Sequence, residues 1–396
     1  LKKVFILGGS ALQVPLIKTA KNLGLYVIVI DLNPEAVGFK YADEKYVIST
    51  RDGESIAELA EEIGPEAIIT AATDMPMRTI AEVGEKLGYN TLSYETSLKA
   101  TDKFLMREAL KVNKVAIPKY FLAESKKDFN EAIKAIDGPK IIKPVDSSGS
   151  RGIYLLNDES KRDEAFSHAL RHSNNKKILI EEYMRGNEVS VETLTINGKT
   201  SVIAITDKLT TGAPHFIETG HHIPSLVSEE MQNEIKKITI QAIEAIGIKN
   251  GPSHTEIIVT PNGPKIVELG ARLGGDFITS HLVKYGTSID LIQLHILLSM
   301  GELTSLDEEV DYYGSAIRYF QVSPGIVKDI TVPEYIVEDE NLVELEFNYS
   351  IGDKVDEVKS SANRFGYIIC KGETTESAIN LCEKFMSEIN ISIEEV

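Results

Sequence analysis

Residues 251–272 constrain this chain more than any other stretch. Two apolar runs, Thr255-Glu256-Ile257-Ile258-Val259 and Ile266-Val267-Glu268-Leu269, are separated by Pro261-Asn262-Gly263-Pro264. Asn-Gly tolerates positive φ and the flanking prolines end strand pairing, so the segment predicts a hairpin turning at 261–264. Antiparallel pairing about that turn brings Glu256 and Glu268 together, with Arg272 just beyond. A carboxylate in such apolar surroundings is costly to desolvate unless a cation or a proton compensates it. Two carboxylates joined by substrate phosphate oxygens and water suit Mg²⁺. The plain alternative is a pair of solvated surface charges.

A phosphate-bearing ligand is therefore sought upstream. The opening alternates apolar strands (Val4 to Leu7, Tyr26 to Ile30, Tyr46 to Ile48, Ala67 to Thr70) with helical patterns at 14–23, 54–63 and 75–87. That alternation predicts an open α/β layer with a parallel sheet over residues 1–95. Asp31 ends the second strand, where an acidic group suits a ribose diol. The loop Gly8-Gly9-Ser10-Ala11-Leu12-Gln13 nevertheless lacks the second and third glycines of G-x-G-x-x-G, which argues against a dinucleotide and leaves an anion nest as the other reading.

One helix is expected from Ser97, carrying Lys99, Asp102, Lys103 and Arg107 and ending before Ile117-Pro118. Next, Lys140-Ile141-Ile142-Lys143-Pro144 reads as a strand with Lys143 at its end, running into the small-residue loop Asp146-Ser147-Ser148-Gly149-Ser150-Arg151-Gly152. Backbone N–H groups of such a loop can close over phosphate oxygens, with Lys143 as a point charge. Ile178 to Glu192 reads as a strand, a short connector with Gly186 and another strand, with Glu188, Ser190 and Glu192 sharing one face.

In this order and spacing the parts resemble the ATP-grasp superfamily, specifically its carboxylate–amine ligases, among them amino-acid (dipeptide) ligases. Phosphoribosylglycinamide synthetase and the carbamoyl-phosphate synthetase large chain share the core. The resemblance implies an α/β and α+β chain: a Rossmann-like pre-ATP-grasp domain (1–95), an ATP-grasp domain (96–310) with a lid at about 115–188, and a small α+β domain (311–396). It further implies ATP, with Mg²⁺ or Mn²⁺ on Glu256 and Glu268. Lys103 and Lys143 reach the phosphates, and the loop with Ser148 and Gly149 forms the mobile lid. Glu181 takes the adenine amino group, backbone of Glu182 and Met184 the purine edge, and Glu188 the ribose. Arg272 matches the arginine stabilising the acyl phosphate. Glu218, His221 and His222 are substrate-pocket candidates together with Arg272, whereas His254 reads as a satisfied histidine near the core. Gly270 stands where the family pattern, Glu-x-Asn-x-Arg, places a ligating Asn.

An excess of acidic over basic residues, 60 to 42, argues against nucleic acid or an anionic membrane as the main partner. No apolar run reaches membrane-spanning length, the amino terminus reads as a strand rather than a signal, and the cysteines, Cys370 and Cys382, read as reduced core residues. The expectation is a cytoplasmic enzyme for a small-molecule carboxylate and amine. The carboxy-terminal piece either frames the site or serves a homodimer interface. Two other readings stand beside it: a purine-pathway ligase of the phosphoribosylglycinamide synthetase type, and a nucleotide-binding sensor without turnover.

Overall fold

Side-chain alternation in the first strands determines how the amino-terminal layer is built. β1 (Lys3–Leu7), β2 (Tyr26–Asp31), β3 (Glu44–Val47) and β4 (Ala67–Ile69) form a parallel sheet in the order β3-β2-β1-β4. Val4, Ile6, Val27 and Val29 pack with Leu16 and Ile17 of α1 (Val14–Asn22). Phe5, Leu7, Ile28 and Ile30 turn the other way, toward Ile56 of α2 (Gly53–Ile63) and Ile80 of α3 (Met77–Leu87). Both faces are buried, as a parallel sheet requires. The computed structural model describes residues 1–395 apart from 148, 150, 214, 215, 307 and 308.

The single helix expected from Ser97 is two helices, α4 (Tyr94–Thr101) and α5 (Lys103–Val112). The break is at Asp102, whose backbone is extended (φ −121°, ψ 114°) and whose carboxylate accepts from Phe104 N and Leu105 N. Asp102 thereby caps the helix that carries Lys103 and Arg107. Asp102→Ala is expected to lower stability by about 1 kcal/mol in urea unfolding, the usual loss of such a cap.

β5 (Tyr120–Ala123), β6 (Lys140–Pro144), β7 (Tyr154–Leu156) and β8 (Ile178–Glu182) form a separate antiparallel sheet ordered β5-β8-β6-β7. Its inner residues Ala123, Ile142, Leu156 and Ile180 meet Phe129 and Ile133 of α6 (Lys126–Ala135) and Ala165 and Ala169 of α7 (Arg162–Arg171).

An eight-stranded sheet forms the centre. It takes β9 (Asn187–Ile196), β10 (Lys199–Thr210), β11 (Glu218–Ile223), β12 (Gly251–Thr260), β13 (Gly263–Gly270) and β14 (Gly314–Tyr319). After β15 (Gly325–Thr331), β16 (Leu342–Phe347) joins it, and after β17 (Lys354–Val355), β18 (Gly366–Gly372) does too. The order is β13-β12-β9-β10-β11-β14-β18-β16; β17, β15 and β19 (Asn390–Glu394) make a small sheet of their own. One face of the large sheet packs on α8 (Glu229–Ile246) through Val189, Val191, Ile257 and Leu269, and on helix Thr375–Glu388 through Ala316, Ile368 and Cys370. The opposite face lies toward the amino-terminal layer and helix Leu291–Ser299, with Leu194, Ile317 and Tyr319 in that core. Cys370 and Cys382 are free and buried.

The hairpin departs from expectation in one respect. Its turn is Pro261-Asn262 alone, because Thr260 pairs with Gly263 and Val259 with Pro264. Pro264 does not end the pairing: β13 is the edge of the sheet, and an edge strand tolerates a missing N–H. Gly263, at φ +99°, takes the left-handed conformation that closes so short a turn.

Candidate active site

Strand register assembles the site on the sheet face turned toward the amino-terminal layer. Glu256 on β12 is the direct cross-strand partner of Glu268 on β13, and Ser190 of β9 lies opposite Glu256 on its other side. Glu188 pairs with Lys208 of β10, and Lys208 with His221 of β11. Directly paired residues share a face, so Glu268, Glu256, Glu188, Lys208 and His221 form one polar band. At its centre is Lys208, whose Nζ lies 2.7 Å from Glu188 Oε1, 3.1 Å from Glu256 Oε1 and 3.8 Å from Glu218 Oε1. Burial opposes its charge, but the three carboxylates, Glu256 foremost, hold the ammonium well above its ordinary pKa.

Helix α5 and the antiparallel β5-β8-β6-β7 sheet stand beside the band. Lys103 Nζ donates to Glu268 Oε1 at 2.9 Å and to the Ser147 carbonyl at 2.6 Å. One turn on, Arg107 Nε donates to Glu181 Oε1 at 2.6 Å and its Nη2 to the Val267 carbonyl at 2.7 Å. Lys143 Nζ is 2.8 Å from Glu181 Oε2. Burial alone would raise the Glu181 pKa, but Arg107 and then Lys143 outweigh it and bring it down to about 2. For Lys143 burial prevails, and with Arg107 beside it the ammonium falls below its usual range despite Glu181.

The third side comes from the amino-terminal layer. Asp74, in the loop after β4, accepts from Arg272 Nε at 2.9 Å and Nη2 at 3.3 Å. A Cβ added to Gly270 would stand 3.1 Å from Asp74 Oδ1 and 3.3 Å from Arg272 Cζ. The position where the family pattern puts a ligating Asn is thus kept bare for this ion pair. His254 is bonded through Nδ1 to Glu192, with Nε2 3.7 Å from Glu256 Oε1. Burial lowers its pKa, Glu192 more than restores it, and the ring is held up at about 9. Gly274 belongs to the same packing, since a Cβ there would meet both Glu192 carboxylate oxygens and His254 Nδ1 at 2.8 Å.

The sequence-derived candidates fall into three groups. Lys103, Lys143, Glu181, Glu188, Glu256, Glu268 and Arg272 line or flank the band described above. Glu182 points its carboxylate at Lys265 (2.6 Å), Met184 lies in the connector between β8 and β9, and Gly149 is exposed with φ +62°. Ser148 lies outside the described residues.

The substrate candidates separate. Glu218 accepts from Ser361 Oγ and stays near Lys208, and His221 is buried on the band's face. His222 does not join them. Neighbouring strand residues point to opposite faces, and His222 Nε2 lies 2.9 Å from Asp207 Oδ2 on the α8 side of the sheet. The Glu181 carboxylate has a cation on each oxygen, Arg107 on Oε1 and Lys143 on Oε2. Sequence reasoning assigned no role to Asp74, Arg107, Glu192 or Asp276. Arg107 alone carried a local signal, its i+4 spacing from Lys103 on one helix face.

Glu256 and Glu268 offer two hard oxygen donors side by side, each with an ammonium within 3.1 Å and each side chain about a quarter exposed. Among the described residues no group of three or more His, Cys, Asp or Glu is arranged to hold a metal. Two carboxylates fit Mg²⁺, which keeps waters and takes phosphate oxygens for its remaining positions.

Comparison with known proteins follows the same lines. Residues 136–280 match a family model described as ATP-grasp domain, and residues 318–394 one described as L-amino acid ligase C-terminal domain 2. The formate-dependent phosphoribosylglycinamide formyltransferase of Sulfolobus acidocaldarius is 25% identical over 403 residues, covering 99% of this chain and 97% of that protein. The alanine–anticapsin ligase of Bacillus subtilis is 28% identical over 264 residues, 61% of this chain and 55% of that one. The solved structure of an L-amino acid ligase from Bacillus licheniformis shares the fold, with a TM-score of 0.85 at 21% identity over 100% of this chain and 99% of that one. Among the described residues no helix is long and apolar enough to cross a membrane.

Proposed function

The chain belongs to the ATP-grasp ligases, and from that premise we propose that it joins the carboxylate of one amino acid to the amine of another. ATP cleavage drives the reaction through an acyl phosphate. The observation that carries this reading is the cross-strand pair Glu256 and Glu268, with Lys208 and Lys103 in contact with their carboxylates.

In this mechanism no protein nucleophile forms a covalent bond. Phosphoryl transfer rests on positioning and on charge placed where charge develops. Lys103 and Lys143 hold phosphate oxygens, Arg272 faces the acyl phosphate, and Glu188 takes the ribose hydroxyls. Glu256 and Glu268 would hold Mg²⁺, which would supply charge neutralisation at the phosphate tail. The 147–152 lid, of which residues 148 and 150 lie outside the described residues, is expected to keep water from the acyl phosphate.

The purine-pathway reading requires the site to accept a phosphoribosyl group, and the amino-terminal loop speaks against it. Gly9 N already donates to Asp31 Oδ2 at 2.7 Å and Ser10 N to Gln13 Oε1 at 3.0 Å. Two of the N–H donors an anion nest would offer are spent on side chains, and one of those is a carboxylate that repels phosphate. The carboxy-terminal match to an L-amino acid ligase domain supports the same choice.

The test is ADP and phosphate release with Mg²⁺, ATP and paired L-amino acids, the product identified by mass. ADP formation with an amide product from two amino acids is the expected result. Turnover only with phosphoribosylamine and glycine, or with phosphoribosylglycinamide and formate, would favour the purine reading. ATP binding without ADP release would favour the sensor.

A further inference from the structure

The ligase reading leaves one step without an agent. An amine reaches the site as an ammonium at neutral pH and has to lose a proton before its nitrogen can attack. Most basic groups on the site face are already committed: Glu188 and Glu256 to Lys208, Glu268 to Lys103, Asp74 to Arg272, and Glu192 to His254. His221 differs. Its Nε2 lies 2.7 Å from Asp276 Oδ2, while its Nδ1 is buried with no hydrogen-bond partner among the described residues. Burial opposes the charge of Asp276, but the hydrogen bonds from His221 and then Arg364 hold its carboxyl well below the usual range, so it is an ionised, acceptor-only partner. Nε2 therefore donates to Asp276, and Nδ1 is the ring nitrogen left without a partner among the described residues.

The surroundings of this histidine have the marks of a built site. Asp276 and Phe277 are consecutive non-glycine residues in the left-handed region (φ 49° and 64°), and a π-helical turn, Ile278–Val283, follows. Such backbone persists where neighbouring contacts over-determine it, and both features cluster at functional sites. Here the contacts come from the carboxy-terminal segment. Arg364 grips Asp276 with both Nη atoms, Nη1 at 3.0 Å from Oδ2, and lies 3.5 Å over the Tyr319 ring. Its Nε is tied to the Ser361 carbonyl at 2.9 Å, and Ser361 itself reaches Glu218. The other charged groups around His221 are Lys208, its cross-strand partner, and Arg318, whose Nη1 donates to the His221 carbonyl at 3.2 Å.

We propose that His221 accepts the proton of the incoming amine through Nδ1, and that Arg364 is a positioning residue that fixes it by way of Asp276. This rests on the ligase reading above. The ammonium passes one proton to Nδ1, and the freed nitrogen lone pair forms the C–N bond at the acyl carbon. The carbon–oxygen bond to phosphate breaks and its electron pair leaves with the phosphate. The second nitrogen proton departs on that phosphate, and the imidazolium returns its proton to solvent.

Hydroxylamine tests this directly, because it is largely unprotonated at neutral pH and captures acyl phosphates without a base. With the L-amino acid that supports ADP formation as the acid, amide formation by His221→Asn is expected to fall about a hundredfold, while hydroxamate formation stays within about twofold of wild type. Arg364→Gln should show the same selective loss at about tenfold, and Arg364→Lys should recover part of it. Parallel loss of both products in His221→Asn and in the charge-conserving Arg364→Lys, or no loss of either, overturns the assignment. A wild-type enzyme that forms neither hydroxamate nor ADP overturns the ligase reading instead.

Discussion

Glu268→Gln is expected to lower the rate of ADP formation by about a hundred- to a thousandfold, the loss typical when one group stabilising transition-state charge is removed. The substitution keeps size and hydrogen-bonding capacity but removes the charge that faces Lys103 at 2.9 Å and Glu256 across the strand pair. A neutral amide is a poorer ligand for a hard divalent cation, so Mn²⁺ affinity measured by electron paramagnetic resonance should weaken alongside the rate. Fold content should not change, because the side chain is about 29% exposed at an edge strand. Unaltered Mn²⁺ binding and ADP formation would remove the two glutamates from the mechanism.

Arg107→Met is expected to cost about 3–5 kcal/mol in urea unfolding at pH 7, the range for breaking one side of a buried ion pair. Arg107 and Glu181 are 1% and 3% exposed, and methionine fills the volume without replacing the donors at Glu181 and the Val267 carbonyl. The acid side of the stability profile should change as well. Glu181 falls from an ordinary 4.5 to about 2 in the folded protein, a gap worth roughly 3 kcal/mol. A depressed carboxylate stabilises fully above the unfolded pKa, and that contribution disappears as pH drops through the folded one. Wild type should therefore lose it between about pH 4.5 and 2. In Arg107→Met the loss should be smaller and complete at a higher pH.

What the sequence disclosed and what it withheld divide along physical lines. The amino-terminal layer and the paired glutamates were legible because strand alternation and turn chemistry act over a few residues. The break at Asp102 was equally local, with an Asp standing before the helix in the usual capping position, and an unbroken helical pattern masked it. His221 and His222 were treated as a pair because no strand was assigned there; β11 sends them to opposite faces. Asp74 with Arg272 and Asp276 with Arg364 are contacts between residues 198 and 88 positions apart, formed only when separate elements pack. No local pattern announces those. Gly270 was recognised as a departure from the family pattern, but the Asp74–Arg272 pair occupying the vacated space required three dimensions.

The hydrogen-bonded seam between β11 and β14, Gly220 to Arg318 through Ile223 to Ser315, makes the two recognisable modules of this chain one material. A graft that exchanged the carboxy-terminal module with that of a relative would have to preserve this ladder residue for residue, because a one-step slip turns Ile317 and Tyr319 away from His221. Cutting the chain at the same place would bare a strand edge on each fragment, open to pairing with any other chain. Specificity in such a protein is inherited by register as much as by side chain.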